Sequence, residues 1–414
     1  MSKHRCAIAG LSALSLAVLA GCSQSGLAHR PTENMVTSPN PSAVTNQTNT
    51  TGGSIPTSGN STSVNPDGVM IPAAVPFLKL RAGPLNAVSF LSDTTGFVAG
   101  DDGIYKTTDG GETWARVYTS KVPILGIHAM FQPVGQEQYV VAYTQTYLLR
   151  STDGQHFTMQ GVGGNKDGGG DPHIEGLSLL DNNVIYLLND GIVWASDGES
   201  GGLYRATPPE KVTSISASSV NTCYAVAGTA VYKTTDDGHH WTRVFTAPLD
   251  KRLPWKAQVE SQENHVAVLF YGGDGGMSQT AYILFESSDA GRTWQAMLDE
   301  GYFSPDYHGA KPLSDAIAGE RPGPFTMDPQ GDIFITGVDE NDGNMTVITA
   351  ISPDGKTLAH DPVGASTNSP HAFDDFSLDR MGIATWDGKH IFVVGGKNGK
   401  GLVEISEDGG LTWR

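Results

Sequence analysis

Short apolar runs alternate with polar turns along most of this chain. Tyr139–Tyr143, His265–Phe270 and Ile391–Val394 are examples, and Gly, Asp, Asn or Ser bounds each run. Runs of this length, rich in β-branched and aromatic residues and closed by turn residues, predict β-strands. The pattern therefore predicts an all-β protein built from many short strands.

One eight-residue turn returns after many of these strands. Thr107–Trp114 reads TTDGGETW, and related segments occupy Thr234–Trp241, Ser287–Trp294 and Ser406–Trp413. The Asp carboxylate can accept hydrogen bonds from the backbone of its own turn, and Gly permits positive φ. The Trp that follows can bury its ring beneath the hairpin. Four copies in the same order indicate a repeat architecture.

Weaker copies of the turn fill the gaps between these four segments. The turn aspartates are Asp109, Asp153, Asp197, Asp236, Asp289, Asp354 and Asp408. Their spacing of roughly 40 to 65 residues is typical of a four-stranded propeller blade with variable loops. We predict a seven-bladed β-propeller over residues 76–414.

The last blade lacks an outermost strand at the C-terminal end of the sequence. Its turn ends at Trp413, only one residue before Arg414. Phe77–Arg81 is an unassigned strand that directly precedes the first blade. We expect this segment to complete the last blade, because pairing the first and last parts of the chain removes an open sheet edge.

The turns resemble the Asp-box, or BNR, repeat of sialidases, sortilin-type receptors, xyloglucanases and the photosystem II assembly-factor family. The resemblance covers about residues 76–414 and implies a propeller with structural turns on its periphery. The residues that carry it are Asp109, Trp114, Asp153, Asp236, Trp241, Asp289, Trp294, Asp408 and Trp413. Because this repeat occurs in enzymes and in non-enzymes, the function has to be inferred from other residues.

The N-terminus has the pattern of an export signal. Lys3–Arg5 precede an apolar run, Ala7–Ala20, that is too short to span a bilayer. Leu19–Cys22 resembles a bacterial lipobox, which implies that residues 1–21 are a signal peptide and that Cys22 carries lipid. The alternative is an ordinary signal peptide with a chance Cys. We expect an extracytoplasmic protein, lipid-anchored to the bacterial cell membrane or outer membrane and touching it only through that lipid.

A polar segment separates Cys22 from the predicted propeller. Residues 22–75 are rich in Ser, Thr, Asn, Pro and Gly and have almost no aromatic residues. Such a composition cannot bury enough surface to offset the entropy of ordering, so we predict a disordered tether. Cys223 is then the single thiol of the folded region, and no disulfide is expected.

The charge of the chain excludes one class of partner. The formal net charge is −18 and the pI is about 4.9, whereas a nucleic-acid-binding protein needs a basic surface.

Walker, Rossmann, zincin and nucleophile-elbow patterns are absent, so we predict no cofactor. Asp339–Asn344 is similar to the start of a calcium loop but lacks the distal Glu, and an acidic hairpin tip is the favoured interpretation.

Enzymatic alternatives find little support in the residues. A sialidase needs a first-strand Phe/Tyr-Arg-Ile-Pro motif, and the nearest segment, Glu320–Gly323, lacks the Ile. It also needs three converging arginines, whereas Arg116, Arg243 and Arg292 lie in or just after the turns. The remaining alternative is a glycoside hydrolase of the Asp-box propeller type, which would need two opposed carboxylates.

The loops that lead from one blade to the next form the candidate binding face. They are among the longest loops and carry His173, Trp255, Tyr302, Tyr307, His308 and His371. Three interpretations remain open: polar loops without a binding role, a rim that binds a protein or a glycan, or a metal site built from the three histidines. We predict no metal and a monomeric, non-catalytic binding or assembly module for an unknown protein or glycan.

Overall fold

The computed structural model describes residues 80–131, 138–162, 172–180, 184–196, 202–249, 255–272, 281–299, 321–339, 345–363 and 380–414. The chain divides into two units, Met1–Ile71 and Pro72–Arg414. All of the description below concerns the second unit. The signal peptide, Cys22 and the tether lie outside the described residues and stay predictions.

The described residues form antiparallel sheets whose strands follow one another in the chain. The first sheet contains β1 (Leu85–Phe90), β2 (Gly96–Gly100), β3 (Gly103–Thr107) and β4 (Ala115–Thr119). The second contains β5 (Ile124–Phe131), β6 (Gln138–Thr144), β7 (Tyr147–Ser151) and β8 (Thr158–Gly161). The third contains β9 (Ile174–Leu179), β10 (Ile185–Asn189), β11 (Ile192–Ser196) and β12 (Leu203–Arg205).

The later sheets repeat this order. The fourth contains β13 (Ser214–Ser219), β14 (Thr222–Ala227), β15 (Ala230–Thr234) and β16 (Thr242–Thr246). The fifth contains β17 (Lys256–Gln262), β18 (His265–Gly272), β19 (Ala281–Ser287) and β20 (Gln295–Asp299). The sixth contains β21 (Arg321–Met327), β22 (Ile333–Asp339), β23 (Met345–Ile351) and β24 (Thr357–Pro362). The seventh contains β25 (Gly382–Thr385), β26 (Ile391–Lys397) and β27 (Lys400–Ser406).

The seven sheets are arranged as a closed ring. The first strand of each sheet contacts the first strand of the next, and β25 contacts β1. These strands (β1, β5, β9, β13, β17, β21 and β25) are the inner strands that surround the central channel. The prediction of an all-β, seven-bladed propeller is confirmed.

The hydrophobic cores lie between neighbouring blades. Side chains alternate along each strand, so one face of a blade packs against the preceding blade and the other face against the following blade. The core between the last and first blades contains Phe392 stacked on Phe90, with ring centroids 3.5 Å apart. Trp114 and Trp386 also contact the Phe90 ring, so aromatic packing closes the ring of blades.

The two ends of the propeller carry different connections. Because every sheet is an antiparallel meander, the turns between its first and second strands and between its third and fourth strands share one end. We call this end the Asp-turn face. The turns between second and third strands, and the loops to the next blade, share the opposite end, which we call the loop face.

Residues from both ends of the described chain form backbone hydrogen bonds with the outer edge of β27. The backbone N–H groups of Ile405 and Arg414 donate to each other's carbonyl oxygens, at 3.0 and 2.9 Å. Farther along the same edge, the Gly401 N–H donates to the Ala82 carbonyl at 2.9 Å. Residues 77–79 lie outside the described residues, and Leu80–Ala82 are not a strand. The completing role of Phe77–Arg81 therefore stays a prediction.

Two further features concern the described residues. None of these residues forms a helix that is long and apolar enough to cross a membrane. Cys223, on β14, is buried between the third and fourth blades.

Candidate functional site

The recurring side chains of the Asp turns, namely the hydroxyl residue, the Asp and the Trp, form hydrogen bonds within the turn. In the first blade, Asp109 Oδ1 accepts from the Thr113 N–H at 2.9 Å, and Oδ2 accepts from Thr113 Oγ1 at 2.5 Å. The Thr107 hydroxyl donates to Asp109 at 2.8 Å and accepts from the Gly111 N–H at 2.9 Å. The Trp114 indole donates to the Gly111 carbonyl at 3.0 Å. Positive φ at Gly111 makes this fold of the chain possible.

The same bonds recur in other blades with one variation. Asp289 and Asp408 bind a Thr like Asp109 does, whereas Asp153 and Asp236 bind the Nδ1 atoms of His156 and His240. Hydrogen bonds from His240 lower the pKa of Asp236 to about 2, and those from Thr293 lower that of Asp289 to about 2. Each of these five turn carboxylates thus accepts three or four hydrogen bonds inside its own turn. Asp197 lies outside the described residues.

Two turns of related chemistry escaped the sequence analysis because they lack the hydroxyl-to-Trp pattern. Both join the first and second strands of a blade. Asp328 accepts from the Gln330 and Asp332 N–H groups, and Asp387 accepts from the Lys389 and His390 N–H groups. An Asp followed within a few residues by Gly between two apolar runs is the signal that could have found them.

Asp93, Asp387 and His390 form a cluster that could hold a metal ion. However, His390 Nδ1 hydrogen-bonds Asp387 Oδ2 at 2.7 Å, as His156 bonds Asp153 in an ordinary turn. Stacking on Trp386 fixes the His390 ring further. The turn geometry therefore explains this pair without a metal.

The predicted binding residues fall in different surroundings. His173 is exposed on the loop face, where its backbone N–H donates to Asn189 Oδ1 at 2.7 Å. Trp255 is half-buried and packs against the core between the fourth and fifth blades. The other four lie outside the described residues, and they are Tyr302, Tyr307, His308 and His371.

A hollow of about 560 Å³ lies on the loop face beside His173. Its walls include the β10–β11 turn and the loop that leads from β12 to β13. The Asp190 N–H donates to the His173 carbonyl at 3.0 Å, which joins this hollow to the predicted face. The charged side chains of the wall are Asp190, Arg205, Glu210 and Lys211.

A second hollow, of about 590 Å³, lies on the outside of the first two blades. Lys106, Trp114 and Arg116 line it. Arg116 forms an ion pair with Asp102 at 2.7 Å, and Lys106 donates to Gln138 Oε1 at 2.6 Å. These cations are already paired within the fold. Arg116 and Arg243 project from outer strands and Arg292 from a turn, so they do not converge on the channel.

On each inner strand we compare one position whose side chain is directed toward the following blade. In each blade this residue pairs with a residue of the second strand that belongs to the core shared with the following blade. Ser89 pairs with Phe97, and Glu260 pairs with Ala267. We call these seven positions the inner ring. They are Ser89, His128, Ser178, Ser216, Glu260, Thr326 and Ala384.

Serines of the inner ring satisfy the backbone of the neighbouring blade. Ser89 Oγ accepts from the Ala129 N–H at 3.0 Å, and Ser178 Oγ accepts from the Ala217 N–H at 3.1 Å. Ser216 Oγ accepts from the Ser261 N–H at 2.9 Å. These N–H groups belong to the inner strands, whose channel-side edges have no strand partner.

His128 and Glu260 are the two titratable members of the inner ring. Burial lowers the pKa of His128 to about 4, so its ring is neutral at pH 7. Burial raises the pKa of Glu260 to about 7, against a smaller opposite effect of the Gln258 hydrogen bond. Sequence reasoning missed both residues, because nothing in the local sequence marks a ring position.

The carboxyl groups whose pKa values are raised lie away from both hollows. Burial raises the pKa of Glu286, Asp328 and Asp332 near the interface of the fifth and sixth blades, and that of Glu404 to about 7 on β27. None of these residues, nor Glu260, lines either hollow.

Comparisons with known proteins add support for the fold. No family model and no curated protein matches the sequence. Among solved structures, an ancestral GH74 enzyme is 14% identical, with a TM-score of 0.51 over 80% of this chain and 45% of its own. YCF48 bound to a D1 peptide is 14% identical (TM-score 0.47; 78% and 93% covered), and virginiamycin B lyase from Staphylococcus aureus is 13% identical (TM-score 0.49; 79% and 97%). The likeness to the GH74 enzyme supports the fold, and at 14% identity it shows nothing about function.

Proposed function

We propose that this protein is a non-catalytic binding or assembly module whose loop face binds a protein or a glycan. In this proposal the turns are Asp-box repeats, and a lipid on Cys22 holds the propeller outside the cytoplasm. The observation that carries the proposal is the loop-face hollow beside His173. The propeller itself acts as a rigid support for this face.

The size and chemistry of the hollow suit a polar partner. Its volume of about 560 Å³ is within the range of ligand-binding clefts. Arg205 and Lys211 are exposed donors, and Glu210 is an exposed acceptor whose Oε1 is held by the Tyr232 hydroxyl at 2.7 Å. Exposed charges of both signs give an interface specificity, because a wrong partner leaves them unmatched.

The same residues give less support to glycoside hydrolysis. A hydrolase of this kind needs a general acid with a raised pKa opposite a second carboxylate. The carboxyl groups with raised pKa values lie in the channel or between blades, and none lines either hollow among the described residues. We therefore favour binding over catalysis.

Site-specific photo-cross-linking in intact cells tests the loop face. A benzoylphenylalanine at Lys211 on the hollow's rim is compared with one at Leu411, which is 55% exposed in the last Asp turn at the opposite end. We expect a defined cross-linked product from position 211 alone, and its loss when Arg205→Ala is added. Equal products from both positions would contradict the proposal.

Two further measurements separate the remaining parts of the proposal. For a glycan partner, the full chain should be retarded in gels that contain the soluble polysaccharide, and Arg205→Ala should reduce the retardation. Release of reducing sugar by the protein would instead support the hydrolase. For the anchor, palmitate labelling should disappear in Cys22→Ser, and labelling that persists would place the lipid elsewhere.

A further inference from the structure

Glu260 is the one carboxyl group of the inner ring, and the fold does not require it there. Ser89, Ser178 and Ser216 fill equivalent positions and accept an N–H from the following blade. A Ser at residue 260 would serve the same structural purpose. The glutamate instead places a carboxyl group in a half-buried site, where ionisation is costly.

The partners of Glu260 leave part of its carboxyl group available. Gln258 Nε2 donates to Glu260 Oε1 at 3.4 Å and also to the Phe325 carbonyl at 3.1 Å. Glu260 Oε2 receives no hydrogen bond from any residue that the structure describes. A group in the channel could therefore bind this oxygen without displacing the amide.

The titratable and charged residues on the strands packed against β17 do not neutralise Glu260. The inner strand β13 carries no titratable side chain. His265, on β18, is paired with Glu286 at 3.3 Å, and Arg321 is the first residue of β21, five positions before the ring residue Thr326. The other titratable side chains of these strands are Tyr271, Cys223 and Tyr224. Inside the ring, His128 is neutral at pH 7.

We propose that the central channel binds a primary ammonium group, with Glu260 as its counter-ion. The acceptor that Glu260 offers to the N–H donors is Oε2, because Oε1 already accepts from Gln258. A single carboxylate suits a monovalent cation, because Ca²⁺ sites take six to eight oxygen ligands with several carboxylates. The site lies about 13 Å along β17 from Lys256 at roughly 3.3 Å per residue, nearer the Asp-turn face.

This proposal is independent of the loop face. The ammonium group can come from a free amine or from a lysine side chain of a protein, and the chemistry at Glu260 is the same. Ionised Glu260 is the binding form, so affinity should rise with pH. With a pKa of about 7, the ionised fraction rises about tenfold between pH 6 and pH 8.

The test is calorimetric titration of the full chain with n-butylammonium chloride and with the blocked peptide acetyl-Gly-Lys-Gly-amide. We expect saturable binding of at least one probe, about tenfold tighter at pH 8 than at pH 6, with n-butanol as the uncharged control. Glu260→Gln should weaken binding at least tenfold. Glu175→Gln, on the inner strand β9, should leave it unchanged.

The outcomes decide the proposal and the source of the amine. Binding of butylammonium alone indicates a free amine, and binding of the peptide indicates a protein side chain. Glu260→Ser, which copies the residue of three equivalent positions, serves as a second variant should Glu260→Gln melt at a lower temperature. Binding that is equal in both Glu260 variants and the wild type, or binding of neither probe, would overturn the proposal.

Discussion

The Asp turns and the inner ring each recur around the propeller, but they treat a carboxyl group in opposite ways. Asp289, in a turn, accepts four hydrogen bonds, from Ser287, Arg292 and twice from Thr293, and its pKa is lowered to about 2. Glu260, in the ring, accepts one long bond from Gln258, and its pKa is raised to about 7.

The difference separates architecture from function. A turn carboxylate that accepts three or four hydrogen bonds from its own turn has little left to offer a partner, and its repetition follows from the repeated blade. A ring position that departs from its equivalents carries a cost that the fold does not explain. Such departures are where functional residues are expected.

The largest effect should come from the aromatic part of a turn. Trp413 is 4% exposed and packs between the sixth and seventh blades. Trp413→Ala should lower the free energy of unfolding by about 3–5 kcal/mol, as for other buried Trp truncations. Urea unfolding measures this, with Trp413→Phe as the milder control. A change in the free energy of unfolding no larger in size than that in Glu260→Gln would break the comparison.

Removal of a turn carboxylate should lower the stability less than removal of Trp413, and its effect should depend on pH. Asp289→Ala removes an acceptor of four bonds and should lower the melting temperature at pH 7. Because the folded-state pKa of about 2 is below the ordinary 3.8, this stability is present above pH 3.8 and is lost as the pH falls toward 2. Melting curves of the wild type and variant should therefore converge in acid. Asp289→Asn, which keeps an acceptor, should fall between them.

The contribution of Glu260 to stability should depend on pH in the opposite direction. Its folded-state pKa of about 7 exceeds the ordinary 4.5, so the wild type loses stability as the pH rises from 4.5 through 7. Glu260→Gln should melt a few degrees higher than the wild type at pH 8 and close to it at pH 4. Equal differences at both pH values would show that burial does not perturb this group.

His128 should give the smallest effect. Its folded-state pKa of about 4 is below the ordinary 6.5, so its contribution is present above pH 6.5 and is lost as the pH falls toward 4. His128→Ser, which copies the ring residue of three other blades, should reduce the loss of melting temperature between pH 6.5 and pH 4. An unchanged acid profile would mean that the imidazole is solvated.

The blades were predictable from the sequence because their signals are local. The hydrogen bonds made by the side chains of Thr107, Asp109 and Trp114 join residues at most four positions apart. The apolar runs that flank the turn fix the strands for the same reason. The turns at Asp328 and Asp387 were missed because they use the same acceptor without the Trp.

The closure of the ring and the candidate sites were decided by tertiary structure. Arg414 forms an ion pair with Glu112 at 2.8 Å across the junction of the last and first blades, although the two residues are 302 positions apart. Trp255, predicted on the binding face from its loop, is half-buried because the adjacent core offers it apolar contacts.

The sequence by itself determined the repeated unit, its strands and the number of blades, since hydrogen bonds and alternation within a short segment suffice for these. Only the tertiary structure placed His128 and Glu260 at equivalent positions, because the connections within each blade differ in length and hide the register. The tertiary structure also brings the Ala129 N–H within hydrogen-bonding distance of Ser89 Oγ, 40 residues away. A channel exists only when the blades close around it, so the chemistry of its wall is a property of the ring.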